Sequence, residues 1–72
     1  MKTKTDVLKS LINKTVCIEG LESGGLYIWN KAGRLSGYNF TITDIGVDIF
    51  SAEQDSAIHY FSIDYVKKIV IT

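Results

Sequence analysis

Proline is absent from this 72-residue chain, and cysteine, histidine, methionine and tryptophan occur once each. The lone cysteine, Cys17, has no internal disulfide partner, which excludes a cysteine-stapled secreted scaffold. One histidine and one cysteine also exclude a recognisable structural zinc site. An excess of charge of one sign is missing as well, since eight Lys and Arg balance eight Asp and Glu. A protein that grips phosphate backbones through its overall field normally carries a strong positive excess. The longest aliphatic run, Ile69-Val70-Ile71, falls far short of the roughly 20 apolar residues of a membrane-spanning helix. Lys2, Lys4, Asp6 and Lys9 are interleaved with polar residues where an apolar leader would lie. We therefore expect a cytoplasmic protein with no cofactor, no metal and no membrane partner.

What is present reads as a single small folded domain over residues 1–72. Hydrophobic residues make up 46% and charged residues 22%, in the range of globular rather than disordered chains. A chain of this length buries only about 60% of its unfolded surface, so one core is all it can build. The spacing of Leu8, Leu11 and Ile12 predicts a helix over about 5–14 with one apolar stripe. Thr3 and Asp6 have capping-box spacing, with Thr5 or Asp6 as alternative caps, and Lys9 and Lys14 suit the helix C-terminal half.

Everything from about 15 to 71 reads as β-structure. Val16 and Ile18 alternate against Cys17 and Glu19, and Leu26-Tyr27-Ile28-Trp29 follows the turn signal Glu22-Ser23-Gly24-Gly25. Asn30-Lys31-Ala32-Gly33 has the residues of a tight turn. Residues 38–44 alternate without error, which assigns Tyr38, Phe40 and Ile42 to the core. Gly37 suggests a bulge or bend before them. Residues 47–50 form the next strand, 52–56 a polar loop and 57–63 another strand. Asp64-Tyr65 form a helical turn, and 66–71 the last strand.

One helix with five to six short strands predicts a mainly β domain, a small antiparallel barrel or curled sheet. With neither disulfide nor metal, a core of this size contributes only about 3–5 kcal/mol net. Pairing of sheet edges is the readiest further source of stability, so a homo-oligomer is expected.

The order of these elements resembles the Sm-like family and its bacterial relatives. Leu8, Leu11, Lys14 and Val16 look like that family's helix entering its first strand. Gly33, Leu35 and Gly37 look like its bent second strand, and Ile63, Val66 and Ile69 like its closing turn and strand. SH3-like barrels share the closing pattern. The resemblance implies a barrel fold and an oligomeric habit. It implies no RNA pocket, because Ile42-Thr43-Asp44-Ile45 stands where the family's loop carries an Asp-Asn pair. Tyr60-Phe61-Ser62 likewise stands where bacterial members carry Tyr-Lys-His.

Catalytic residues are not evident. His59 reads as a strand histidine facing solvent or a cross-strand neighbour, because no nucleophile and orienting carboxylate are spaced around it. Cys17, among β-branched neighbours and without an adjacent base, reads as a buried inert thiol. Asp44, Asp48, Glu53, Asp55 and Asp64 make residues 41–66 acidic, while both ends of the chain are basic. That segregation suits head-to-tail attraction between protomers or a basic partner.

The aromatic residues give the best candidate site. If Leu26 and Ile28 pack inward, Tyr27 and Trp29 form an exposed stripe beside Lys31 and Arg34, with the composition of a protein hot spot or a base-stacking surface. The competing reading puts Trp29 in the core. Tyr65, Lys67 and Lys68 form a second cluster of the same kind. The function expected is binding, not catalysis: a small protein-interaction, regulatory or inhibitor module acting as a homo-oligomer. A protein partner is expected ahead of RNA, and an Sm-like single-stranded nucleic-acid binder is the alternative.

Overall fold

A computed structural model of the chain describes residues 1–21, 24–30 and 37–72. One helix, α1 (Lys4–Lys9), precedes β1 (Thr15–Glu19), β2 (Leu26–Asn30), β3 (Tyr38–Ile45), β4 (Ile49–Gln54) and β5 (Ala57–Ser62). A 3-10 turn (Ile63–Tyr65) then leads into β6 (Val66–Ile71). The strands form one six-stranded sheet in the order β5-β4-β3-β1-β2-β6. The mainly β class expected from the sequence is what the chain adopts.

The capping box forms as its spacing predicts, with the Asp6 N–H donating to Thr3 Oγ1 and the Thr3 N–H to the Asp6 carboxylate. The helix is shorter than expected, six residues rather than ten. Beyond Lys9 the chain tightens into turns, with the Leu11 N–H bonded to the Leu8 carbonyl at 2.9 Å and Asn13 at φ +67°. The cause is tertiary. Asn13 must deliver its N–H to the Ile42 carbonyl, 2.8 Å away, and a continued α-helix would carry it off the sheet. The apolar stripe survives the change, because Leu8 and Leu11 are buried and Ile12 packs on the core.

Strand pairing sorts the residues onto two faces. Val16 opposes Phe40, Ile18 opposes Ile28, and Ile42 opposes Ala52, so these side chains share the inner face. Together with Leu8, Leu11, Leu26, Phe50, Ile63 and Val66 they form the core. Cys17 points to the other face, opposite Trp29, and is buried as expected. The β1 strand lies between β3 and β2, so both of its edges are paired, and the simple alternation expected there is replaced by a run of three buried residues, Val16, Cys17 and Ile18.

Several expectations need correction. The sheet does not close into a barrel: β5 and β6 are its two edges and make no ladder with each other. It is not wholly antiparallel either, because β6 runs parallel to β2. Only the three residues of the 3-10 turn join β5 to β6, so the opposite edges approach to within about 14 Å there, the reach of an extended link of that length. A sheet that brings its edges so near is curled. The expected 52–56 loop is instead the end of β4 followed by a two-residue turn at Asp55 and Ser56, both with positive φ. That is the geometry that matches strand twist in tight hairpins, and it leaves Ala52 buried opposite His59. Register shifts fall between Ile42 and Asp44 and between Leu26 and Tyr27, while Gly37 takes the second form expected of it, a bend just before β3 at φ +87°. Tyr38, expected in the core, is 57% exposed at the open end of the inner face. The turn expected at 30–33 lies mostly outside the described residues, as does Leu35.

Candidate functional site

Three surface features carry binding chemistry, and the first is an aromatic cleft on the inner face. The faces set by pairing put Phe40 of β3, Gln54 of β4, and His59 and Phe61 of β5 on one side of the sheet. Leu21, which follows β1, and Tyr38 complete the lining of a cleft of about 520 Å³. The Phe40 ring stands nearly perpendicular to both His59 and Phe61, with centroids 5.3 Å away in each case. His59 and Phe61 are close to parallel, 17° apart with centroids at 6.4 Å. Edge-to-face contacts of this kind are favourable for aromatic quadrupoles. His59 is therefore half-buried among rings rather than simply facing solvent, although Ala52 is its cross-strand partner as a strand position demands.

The second feature is the edge strand β5. Ala57 to Ser62 contains no Lys, Arg, Asp or Glu and no proline. Its outer face presents Ile58 and Tyr60, with Ile49 of β4 beside them, all exposed. Charge, proline or bulges usually protect an edge. Those devices are missing here.

The third feature is a basic groove between the N-terminal end of α1 and the other edge strand, lined by Lys2, Lys4, Lys67 and Lys68. Among the described residues none of these lysines is in an ion pair. The two basic ends of the chain therefore meet in space. The acidic Asp44, Asp48, Glu53 and Asp55 lie on the hairpins that carry β5.

The residues expected from the sequence are placed as follows. Leu26 and Ile28 do pack inward. Tyr27 is exposed on the outer face, while Trp29 is half-buried on that face rather than in the inner core. The Trp29 indole Nε1 donates to the Glu19 carboxylate, and the Lys68 ammonium lies 5.1 Å from the centre of the Trp29 ring. Tyr27 opposes Lys68 across the parallel ladder, so Tyr27, Trp29 and Lys68 form one cluster. Lys31 and Arg34, the remaining members of that expected surface, lie outside the described residues. Tyr65 stands apart, exposed beside Tyr60 and Phe61 in a second cleft that opens between β5 and the start of β2. Lys67 is exposed and packs its stem against Gly25. The aromatic cleft was not anticipated. Its sequence signal was the period-two pattern His59, Phe61, which places both rings on one face.

Among the described residues no three His, Cys, Asp or Glu side chains are grouped as a metal site. No helix among them is long and apolar enough to cross a membrane. No protein-family model matches the chain, and no curated protein or solved structure is significantly similar to it.

Proposed function

We propose that the chain is a non-enzymatic binding module that assembles with copies of itself through its sheet edges and holds a partner protein on the assembled surface. The observation that carries this reading is the pair of sheet edges, β5 and β6, beyond which no further strand lies among the described residues. The β5 edge offers backbone that pairs with no further strand among the described residues, and exposed apolar side chains on the acidic side of the molecule. The β6 edge carries Lys67 and Lys68. Antiparallel or parallel addition of one protomer's β5 to another's β6 would continue the hydrogen-bond ladder and bring opposite charges together. Head-to-tail contacts of this type form rings when the rotation closes. An Sm-like ring with curled-sheet protomers is the finer form of the proposal, and it agrees with the element order.

Sedimentation tests the reading directly. At tens of micromolar and low salt a species several times the 8.0 kDa protomer is expected, and it should weaken as salt screens the edge charges. A strict monomer under those conditions would overturn the proposal.

The four-lysine groove favours one further reading, single-stranded nucleic acid held by its phosphates. Four such contacts would give a slope of about −3 in log affinity against log salt. The Trp29 ring, occupied by Lys68 and tied to Glu19, is poorly placed to stack on bases. We therefore expect labelled mixed-sequence RNA to bind no tighter than micromolar at physiological salt. Nanomolar binding with the steep slope would reverse the ranking.

A further inference from the structure

The aromatic cleft lies on the inner face, away from the outer surface of β5, and has its own chemical character. Its aromatic and imidazole rings come from Tyr38, Phe40, His59 and Phe61, and its side-chain amide from Gln54. Among the described residues that line it there is no Lys, Arg, Asp or Glu. Its volume, about 520 Å³, lies within the range of small-molecule sites.

We propose that this cleft binds a small, neutral heteroaromatic molecule of one or two rings that carries a hydrogen-bond donor and acceptor on its edge. With no Lys, Arg, Asp or Glu among the described lining residues, an ion of either sign entering there would lose water without gaining a counter-charge from them. Phosphates, carboxylates and ammonium groups are disfavoured together. The Phe40 ring, nearly perpendicular to the near-parallel His59 and Phe61 rings, gives a planar guest aromatic contacts of more than one orientation.

The polar groups are few and available. Among the described residues the His59 imidazole makes no hydrogen bond, and a neutral imidazole offers one donor and one acceptor. Gln54 spends its Nε2 on the Asn39 carbonyl, 3.2 Å away, and that bond fixes the amide while its Oε1 accepts nothing among the described residues. Phe40 is buried and Phe61 packs on Phe50, with centroids at 5.3 Å. The walls are thus held by the core before any ligand arrives, which lowers the ordering cost of binding.

Aromatic and amide NMR titration of the full chain tests the site with three probes. Indazole is neutral with N–H and N on its edge, benzoate is an anion and benzamidinium is a cation. Indazole should move the Tyr38, His59, Phe61 and Gln54 resonances saturably, with a Kd of about 1 mM or tighter, within reach of a ligand this small. Both ions should bind at least about tenfold more weakly, as desolvation of an unpaired ion requires. Tyr38→Ala, at an exposed position, should weaken indazole about fivefold or more by removing one wall. His59→Phe keeps a ring and removes both nitrogens, and should weaken it similarly if the imidazole bonds the ligand. It provides the test should Tyr38→Ala disturb the fold. Failure of indazole to saturate, equal response to all three probes, or shifts centred on Tyr27 and Trp29 would each overturn the proposal. A monomeric protein that still binds indazole would leave this inference standing while removing the assembly reading.

Discussion

Gly37 lies against the main chain of Ile18. A Cβ built on Gly37 would fall 2.7 Å from the Ile18 carbonyl oxygen and 2.9 Å from the Cys17 sulfur, and the residue holds φ +87°. A backbone oxygen within a ladder cannot retreat as a flexible side chain can. This contact is what lets the chain turn into β3 directly alongside β1, where Ile18 meets Tyr38. Gly37→Ala combines a left-handed conformation, costing about 1–2 kcal/mol, with local overpacking of about 1–3 kcal/mol. We expect urea denaturation to show a loss of about 2–5 kcal/mol, and a change under about 0.5 kcal/mol would contradict the packing described.

Leu11 is buried although it lies beyond the last helical residue, in the turns that carry the chain down to Asn13. Leu11→Ala should cost about 2–4 kcal/mol, the range for a buried leucine whose surroundings relax only partly. A thermal melt unchanged by this substitution would mean that the helix and its exit turn are a loose appendage.

Thr3→Ala removes the side-chain acceptor of the capping box and should cost about 1 kcal/mol. Thr3→Ser keeps the hydroxyl and should recover most of that. Hydrogen exchange at the Asp6 amide is the sharpest readout, since that N–H donates to Thr3 Oγ1. Exchange in the alanine variant as slow as in the parent would show that the cap does not hold the helix.

Tyr60→Lys places a charge on the exposed outer face of the β5 edge, the kind of residue that ordinarily blocks edge pairing. Tyr60 is 69% exposed, so the protomer should keep its fold and its circular dichroism. Light scattering should report a shift towards the single protomer. An assembly of unchanged mass would show that β5 takes no part in it.

Local pattern made most of the elements legible. The capping box, the Leu8 and Leu11 stripe, and the alternation of Phe40 with Ile42 all operate within a few residues, and each has its expected partner. What escaped was decided by distant neighbours. The helix ends early because Asn13 answers to Ile42, and Tyr38 keeps the right phase but lies where the inner face runs out of cover. Ala52 looked like loop because Glu53, Gln54, Asp55 and Ser56 follow it, yet it is buried opposite His59. The site was half visible for the same reason. Tyr27, Trp29 and Lys68 could be suspected from alternation and charge, while the union of Lys2 and Lys4 with Lys67 and Lys68 depends on where β6 is set by its parallel ladder with β2.

That ladder also dictates an order of events as the chain folds. Leu26 pairs with Val66, so β2 acquires its second neighbour only across a loop that contains three other strands. Such non-local parallel pairing is slow, because the loop must close before any bond compensates for it. The hairpins of β3, β4 and β5 can zip locally, but β2 must wait for β6. In a chain still emerging from the ribosome, the Leu26 to Asn30 strand therefore exposes an edge that the finished protein conceals. The vulnerable interval in the life of this molecule is its synthesis, and a chaperone or protease would find its target at β2 rather than at the edges left open in the native state.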